Sequence, residues 1–252
     1  INFTLDTTAD SDSNFSVSVA TADENTNNNE KAHVTVNLTG VDSDTASVVV
    51  TFTDNTANNP VELTATQDGQ GNWLIADADL TNLSDGTVSV SALVTDEAGN
   101  SKTVTDSLVL DTTADEGGDL AATVDAAYTV TNKSEKDSVS MSFAGIDIDA
   151  DTVEVSFTNA DNTTNAISSF NAVDSASTAV RYEASKDDIG NWVVTAADLS
   201  SLADGTINIV AKITDTAGNT ATASSSLELD TSITAATVTL TNDTGSTSGI
   251  SS

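Results

Sequence analysis

Apolar residues recur at every second position over short stretches of this chain. Val34, Val36 and Leu38 alternate with polar neighbours, as do Val48, Val50 and Phe52, and Val88, Val90 and Val94. A period of two puts successive side chains on opposite sides of an extended backbone, so each stretch predicts a strand with one buried and one wet face. The pattern returns at Val139, Met141 and Phe143, at Val153, Val155 and Phe157, and at Ile207, Ile209 and Ile213. No segment sustains a helical period with caps. The stretches are short, rich in Thr and Val, and divided by Asp-Gly and Ala-Gly-Asn turns, which predicts an all-β fold.

The strands belong to a repeating unit. Leu5-Asp6-Thr7-Thr8-Ala9-Asp10 recurs as Leu110-Asp111-Thr112-Thr113-Ala114-Asp115, and begins again as Leu229-Asp230-Thr231-Ser232. Gly40-Val41-Asp42-Ser43-Asp44 maps onto Gly145-Ile146-Asp147-Ile148-Asp149 at the first offset of 105, and Thr95–Asn100 maps onto Thr214–Asn219 at the second, 119. The second unit is thus 14 residues longer, and the extra residues fall between Phe157 and Val180. Expected domains are 1–110, 111–229 with the insertion, and 230–252 as the start of a third repeat. About seven antiparallel strands per unit is the count of an immunoglobulin-like β-sandwich, so tandem sandwiches of that kind are expected.

Length agrees, since 252 residues suffice for two domains that each bury a core without covalent staples. Cysteine is absent, which excludes disulfides, thiolate metal sites and a thiol nucleophile. Charge changes the picture more. Asp and Glu number 39 against 7 Lys and Arg, a formal net charge of -32. Such a surface repels phosphate backbones and anionic headgroups, so nucleic acid is excluded as a partner and dissolved cations are the natural counter-charge. Of the acids, 30 are Asp and 9 are Glu. Asp favours turns and has the short reach of loop-built calcium sites, whereas a merely solubilising surface can use either residue. No apolar run is long enough to cross a bilayer, so no membrane insertion by this segment is expected. No stretch reads as an export signal, and Ile1 reads as mid-strand; the chain is expected to be a fragment of a longer parent.

Topology then gathers the acids. In an immunoglobulin-like sandwich the loops after the second and sixth strands return to the end at which the chain comes in. In the first unit these loops carry Asp42 and Asp44, and Asp96 and Asn100, expected beside the incoming Asp6 and Asp10. In the second, Asp147, Asp149, Asp151, Asp215 and Asn219 are expected around the linker residues Asp111 and Asp115, and Asp230 opens a further set. So many like charges in one place call for a cation. Calcium suits them, taking about six to eight oxygens in irregular geometry, whereas magnesium holds a tighter octahedron and keeps its waters. Glu30 and Glu135 lie in the first hairpin loop, at the opposite end of their units, placed to complete a junction from the other side. A turn or a solvated charge explains any single Asp as well as a ligand does. The coincidence of three loops favours the ion. Asp85-Gly86 and Asp204-Gly205 are read as turns alone, Trp73 and Trp192 as core, and His33, matched by Ser138, as a surface residue.

Several motifs together resemble a known family. They are the Leu-Asp-Thr-Thr unit endings, Glu30 and Glu135, the single Trp ahead of Asp77-Ala78-Asp79-Leu80 or Ala196-Ala197-Asp198-Leu199, the Asp-Gly-Thr turns at Asp85 and Asp204, and above all Thr95–Asn100 and Thr214–Asn219. The combination is similar to the bacterial immunoglobulin-like extender repeats of giant adhesins exported by type I secretion, which share features with repeats-in-toxin (RTX) proteins. The resemblance covers nearly the whole chain. It implies an extracellular rod of tandem domains at the bacterial cell surface, with calcium at the junctions, projecting a terminal binding region in cell adhesion and biofilm formation. Neighbouring repeats of the same chain and calcium ions are the partners it implies, and a monomer the expected state.

The expected function is therefore a structural extender stiffened by calcium; without the ion, like charges repel and the linker flexes. The alternative is a sugar- or peptide-binding module that uses the inserted stretch Thr158 to Ala179, which contains Phe170. Loops absorb insertions cheaply, which favours a lengthened hairpin. Catalysis has little support, because one His and no thiol cannot furnish a repeated nucleophilic set, and the paired acids face no identifiable cleft. No enzyme is expected.

Overall fold

The computed structural model describes residues 5–20, 25–56, 60–160 and 179–233. Among these, the alternating stretches are strands, and helical structure is confined to a 3-10 turn at Ala126–Tyr128. The first unit contains β1 (Ser16–Ala20), β2 (Asn25–Thr26), β3 (Val34–Thr39), β4 (Thr45–Thr53), β5 (Val61–Thr64), β6 (Thr66–Gln67), β7 (Trp73–Ala78), β8 (Gly86–Asp96) and β9 (Ser101–Leu110). They form two sheets, ordered β1-β3-β7-β6 and β2-β9-β8-β4-β5. Pairing is antiparallel except between β2 and β9, which run parallel.

Two runs of chain serve both sheets. β1 and β2 follow one another yet lie in opposite sheets, and so do β5 and β6. At the second switch Ala65 donates its N–H to Val48 in one sheet, while Thr66 already pairs with Leu74 in the other. Seven runs thus yield nine strands, a division that the hydrophobic period does not reveal because β2 and β6 are two-residue strands with no apolar side chain.

The second unit repeats this plan with β10 (Ala121–Val124), β11 (Val130–Asn132), β12 (Val139–Ala144), β13 (Ala150–Asn159), β14 (Val180–Glu183), β15 (Ser185–Lys186), β16 (Trp192–Ala197), β17 (Gly205–Asp215) and β18 (Thr220–Asp230). Its sheets are β10-β12-β16-β15 and β11-β18-β17-β13-β14. Even the irregularities recur. The bulge between Val34 and Val36 on β3 returns between Val139 and Met141, and the bulge between Thr45 and Ser47 on β4 returns between Ala150 and Thr152.

Each pair of sheets encloses its own core. Val48, Val50, Phe52, Val88, Val90 and Val94 are fully buried in the first, and Val153, Val155, Phe157, Ile207, Ile209 and Ile213 in the second. Burying such a side chain contributes about 1.5–3 kcal/mol, so these alternating positions supply the main drive for closing the sandwich. Trp73 and Trp192 are half-buried against their cores, and the Lys186 ammonium sits 4.8 Å from the Trp192 ring centroid. His33 is exposed, its Nδ1 2.6 Å from Asp77.

Phe157 pairs with Val180 as Phe52 pairs with Val61. The additional residues are therefore confined to the hairpin between β13 and β14, and the strands on either side keep their register. The greater part of that insertion, 161–178 with Phe170, lies outside the described residues.

Candidate metal centre

The bulges that open β4 and β13 place acids at one end of each sandwich. Bulges bend a strand and re-aim its neighbours. Here Asp44, just before β4, accepts the backbone N–H of Glu97 at 2.9 Å, and Asp149 accepts that of Thr216 at 3.0 Å. These bonds stitch the loop after the third strand of each unit to the turn after the eighth. The incoming chain completes the arrangement. Carboxylate oxygens of Asp6, Asp44 and Asp96 come within 4.8 Å of one another, and so do those of Asp111, Asp149 and Asp215. The two triads occupy equivalent repeat positions.

The second triad sits where the units meet. Asp96 and Asp215 are buried, and Asp111 and Asp149 half-buried. Burial, then the neighbouring Asp215 and Asp149 carboxylates, push Asp111 up to about 6. One oxygen, Asp149 Oδ1, is shut off from solvent and has no hydrogen-bond partner. A buried, unpaired carboxylate oxygen is costly in water-free surroundings, and an oxygen-seeking cation would satisfy it. This donor set, hard anionic oxygens from separate loops, fits calcium.

Asp10 and Asp42 join a third group, with Asp12, whose oxygens also lie within 4.8 Å. Its members have structural work as well. Asp42 Oδ2 accepts the N–H and the hydroxyl of Ser11, both at 2.9 Å, and Asp10 Oδ1 accepts the N–H of Asn14. Asp147 and Asp115 do the same in the second unit, towards Glu116 and towards Asp119 and Leu120. Position 12 is Gly117 there, so this group is not repeated. The Asp10-Ser11-Asp12 spacing, the same as Asp42-Ser43-Asp44, was the available signal for Asp12.

Other expected ligands are placed differently. Asp151 is exposed at the bulge of β13, and Asp230 accepts the N–H of Ser232. Glu30 and Glu135 lie not in hairpins but in loops that cross between the sheets, from β2 to β3 and from β11 to β12, and each caps its loop by accepting a backbone N–H at 3.1 Å, from Asn27 and Asn132. Neither belongs to a carboxylate group found among the described residues. Asn100 donates its backbone and side-chain N–H groups to Asp96; burial acts to raise the Asp96 carboxyl, but these bonds hold it below the usual range. Asn219 binds Asp215 in the same way and reaches further, across the junction.

A turn does not fully account for Asp85 and Asp204, because their carboxylates hold the chain leaving each unit. Asp85 accepts from Thr112 and Asp204 from Thr231. The cavities beside these residues are small and polar. One of about 260 Å³ lies by Asn159, Asp204 and Glu228, and one of about 170 Å³ by Asn28, Thr112 and Asn219. Both fall below the roughly 300–1,000 Å³ of small-molecule sites.

Two sandwiches of one topology, each with an acidic triad where the chain comes in, define a tandem immunoglobulin-like repeat protein. Residues 2–112, the span of the first unit, match the family model described as Bacterial Ig-like domain. Among solved structures the chain is similar to the tetra-tandem repeat in the extending region of a large adhesion protein, at 25% identity and a TM-score of 0.33, over 84% of this chain and 48% of that one. It is similar to a Ca²⁺-stabilised adhesin that helps an Antarctic bacterium bind ice, at 26% identity and 0.46, over 86% and 49%. A third is a 1.5-MDa bacterial ice-binding adhesin, at 23% and 0.44, over 87% and 65%. The chain spans about half the length of the first two. Comparison with curated proteins finds no match.

Proposed function

We propose that this chain is a spacer: tandem modules at 1–110 and 111–229, with 230–252 opening a third, whose junction is stiffened by calcium. The observation that carries the reading is the triad Asp111, Asp149 and Asp215, with its shielded and unpartnered Asp149 oxygen, set between the two units and repeated as Asp6, Asp44 and Asp96. Asp111 belongs to the linker while Asp149 and Asp215 belong to the loops of the second sandwich. An ion held by all three would tie the linker to the body that follows it. With the ion removed, the carboxylates repel and the linker is held less tightly to that body.

The setting that suits such a module is the outside of a bacterial cell, as part of an adhesin, with neighbouring repeats as its partners and a monomeric chain. Extracellular calcium modules bind at about 0.1–1 mM, so the junction would stiffen only after export. Calorimetric titration of the chain with calcium, paired with small-angle scattering, tests the reading. Binding and a longer, narrower particle in calcium are expected. No binding heat together with unchanged scattering after chelation would sink it.

A further inference from the structure

Where the units meet, the polar contacts centre on an amide rather than on a carboxylate. Asn219, in the turn between β17 and β18, is buried, with 6% of its surface exposed. Its Oδ1 accepts the backbone N–H of Asn28, in the first unit, at 2.9 Å. Its Nδ2 lies 2.8 Å from the Asp111 carbonyl oxygen, 3.2 Å from Asp111 Oδ1 and 2.9 Å from Asp215 Oδ2. One side chain therefore contacts the first sandwich, the linker and its own turn.

Two further bonds complete the lock. Asn27 Nδ2 donates to the Ala217 carbonyl at 3.0 Å, in the same turn as Asn219, and the Asp111 N–H donates to Thr26 at 3.0 Å. The loop that presents Asn27 and Asn28 is itself fixed, because Asn27 Oδ1 accepts the Asn29 N–H and Glu30 accepts the Asn27 N–H. None of these bonds requires an ion.

We infer that Asn219 and Asn27 form an amide clamp that orients successive units independently of any metal, and that calcium adds to this orientation without creating it. The same parts stand at the outward-facing ends of the pair. Asn132 repeats Asn27, with its Oδ1 on the Ser134 N–H and Glu135 on its own N–H, and Asn100 repeats Asn219. The surface around Ala98 and Asn100 thus fits the Asn-bearing loop of another such unit. The clamp goes beyond the calcium reading and stands or falls separately from it.

The test uses the whole chain. It contains no cysteine, so Ser107→Cys and Ser226→Cys on exposed faces of β9 and β18 place one spin label on each unit. In chelator, the clamp requires a narrow interunit distance distribution for the parent chain and a broad one for Asn219→Ala. Asn27→Asp provides the second variant: it keeps the acceptor for Asn29, leaves the Asn219 turn intact and removes the donor to Ala217. It should broaden the distribution while each unit melts as before. A parent distribution already broad in chelator, or variants as narrow as the parent, would overturn the clamp. Failure of calcium to bind would defeat the proposed function and leave the clamp untouched.

Discussion

Asp85 accepts both the backbone N–H and the hydroxyl of Thr112, at 3.1 and 3.0 Å, two residues beyond the end of β9. Asp204 holds Thr231 in the same way, at 3.0 and 2.7 Å. The chain leaving each sandwich is thus gripped by the turn that opens the strand paired with the last one. Thr112 adjoins Asp111, so this grip also sets where the linker carboxylate of the triad is presented.

Replacing Asp85 by Ala should therefore cost stability and loosen the linker together. Two hydrogen bonds to a half-exposed carboxylate are worth about 1–2 kcal/mol. Denaturant unfolding should show a loss of that size for the first unit, and the Thr112 amide should exchange faster. Asp85→Asn, which retains one acceptor, should fall between. An unchanged Thr112 exchange rate in Asp85→Ala would remove the linker role.

Gly40 and Gly145 mark another shared constraint. Each has φ of +67°, and a Cβ added there would run into a backbone carbonyl, of Asn14 or Asp119. The incoming chain crosses the end of β3 or β12 at a distance that only glycine permits. Gly145→Ala combines left-handed strain of roughly 1–2 kcal/mol with a clash against backbone that cannot swing aside. A loss above about 2 kcal/mol is expected in thermal unfolding, with the Asp115–Leu120 segment displaced. Wild-type stability in this variant would mean that the crossing is not close in solution.

Much of this architecture is legible in the sequence, and the parts that are not have physical reasons. The period-two stretches disclose the strands and the core, because burial on one face forces alternation at Val48, Val50 and Phe52 and at their mates. The immunoglobulin-like topology by itself brings Asp6, Asp44 and Asp96 together, since it returns their loops to one end. The sheet switches at β2 and β6 leave no mark, because Asn25-Thr26 and Thr66-Gln67 are two-residue strands with no apolar side chain to show a period. Asp85 hid behind its glycine: Asp-Gly explains a turn completely, and the second task of the carboxylate depends on a threonine 27 residues away. The Asn219 clamp needs both units in place, so a motif within one unit can show the turn but not its partner.

Asp149→Asn should act with opposite signs with and without the ion. In chelator it removes one of three mutually repelling carboxylates, which should raise the stability of the second unit by roughly 1 kcal/mol or more, the repulsion of two charges about 4 Å apart being about 1 kcal/mol even with the screening of bulk water. In calcium at a hundredfold excess over its dissociation constant, the parent chain gains about 2.7 kcal/mol from binding. The variant should lose most of that gain. Melting curves of both proteins in chelator and in calcium decide the matter. A variant less stable than the parent in both conditions would show that Asp149 serves the fold and not an ion.

The raised carboxyl of Asp111 fixes a pH dependence whose direction also turns on calcium. Its folded value of about 6 lies above the ordinary carboxyl value of 3.8, so between these limits the folded chain binds more protons than the unfolded one. Stability contributed by this group accordingly rises as pH falls from 7 towards 4 and is lost as pH climbs through 6. In calcium-free buffer, the parent chain should melt higher at pH 5 than an Asp111→Asn variant predicts from its own pH series, the variant serving to subtract every other titrating group. In calcium the trend should reverse, because a proton on Asp111 competes with the ion; affinity measured by calorimetry should drop between pH 7 and 5. Parallel pH profiles for parent and variant in chelator would mean that Asp111 titrates normally and that the triad does not crowd it.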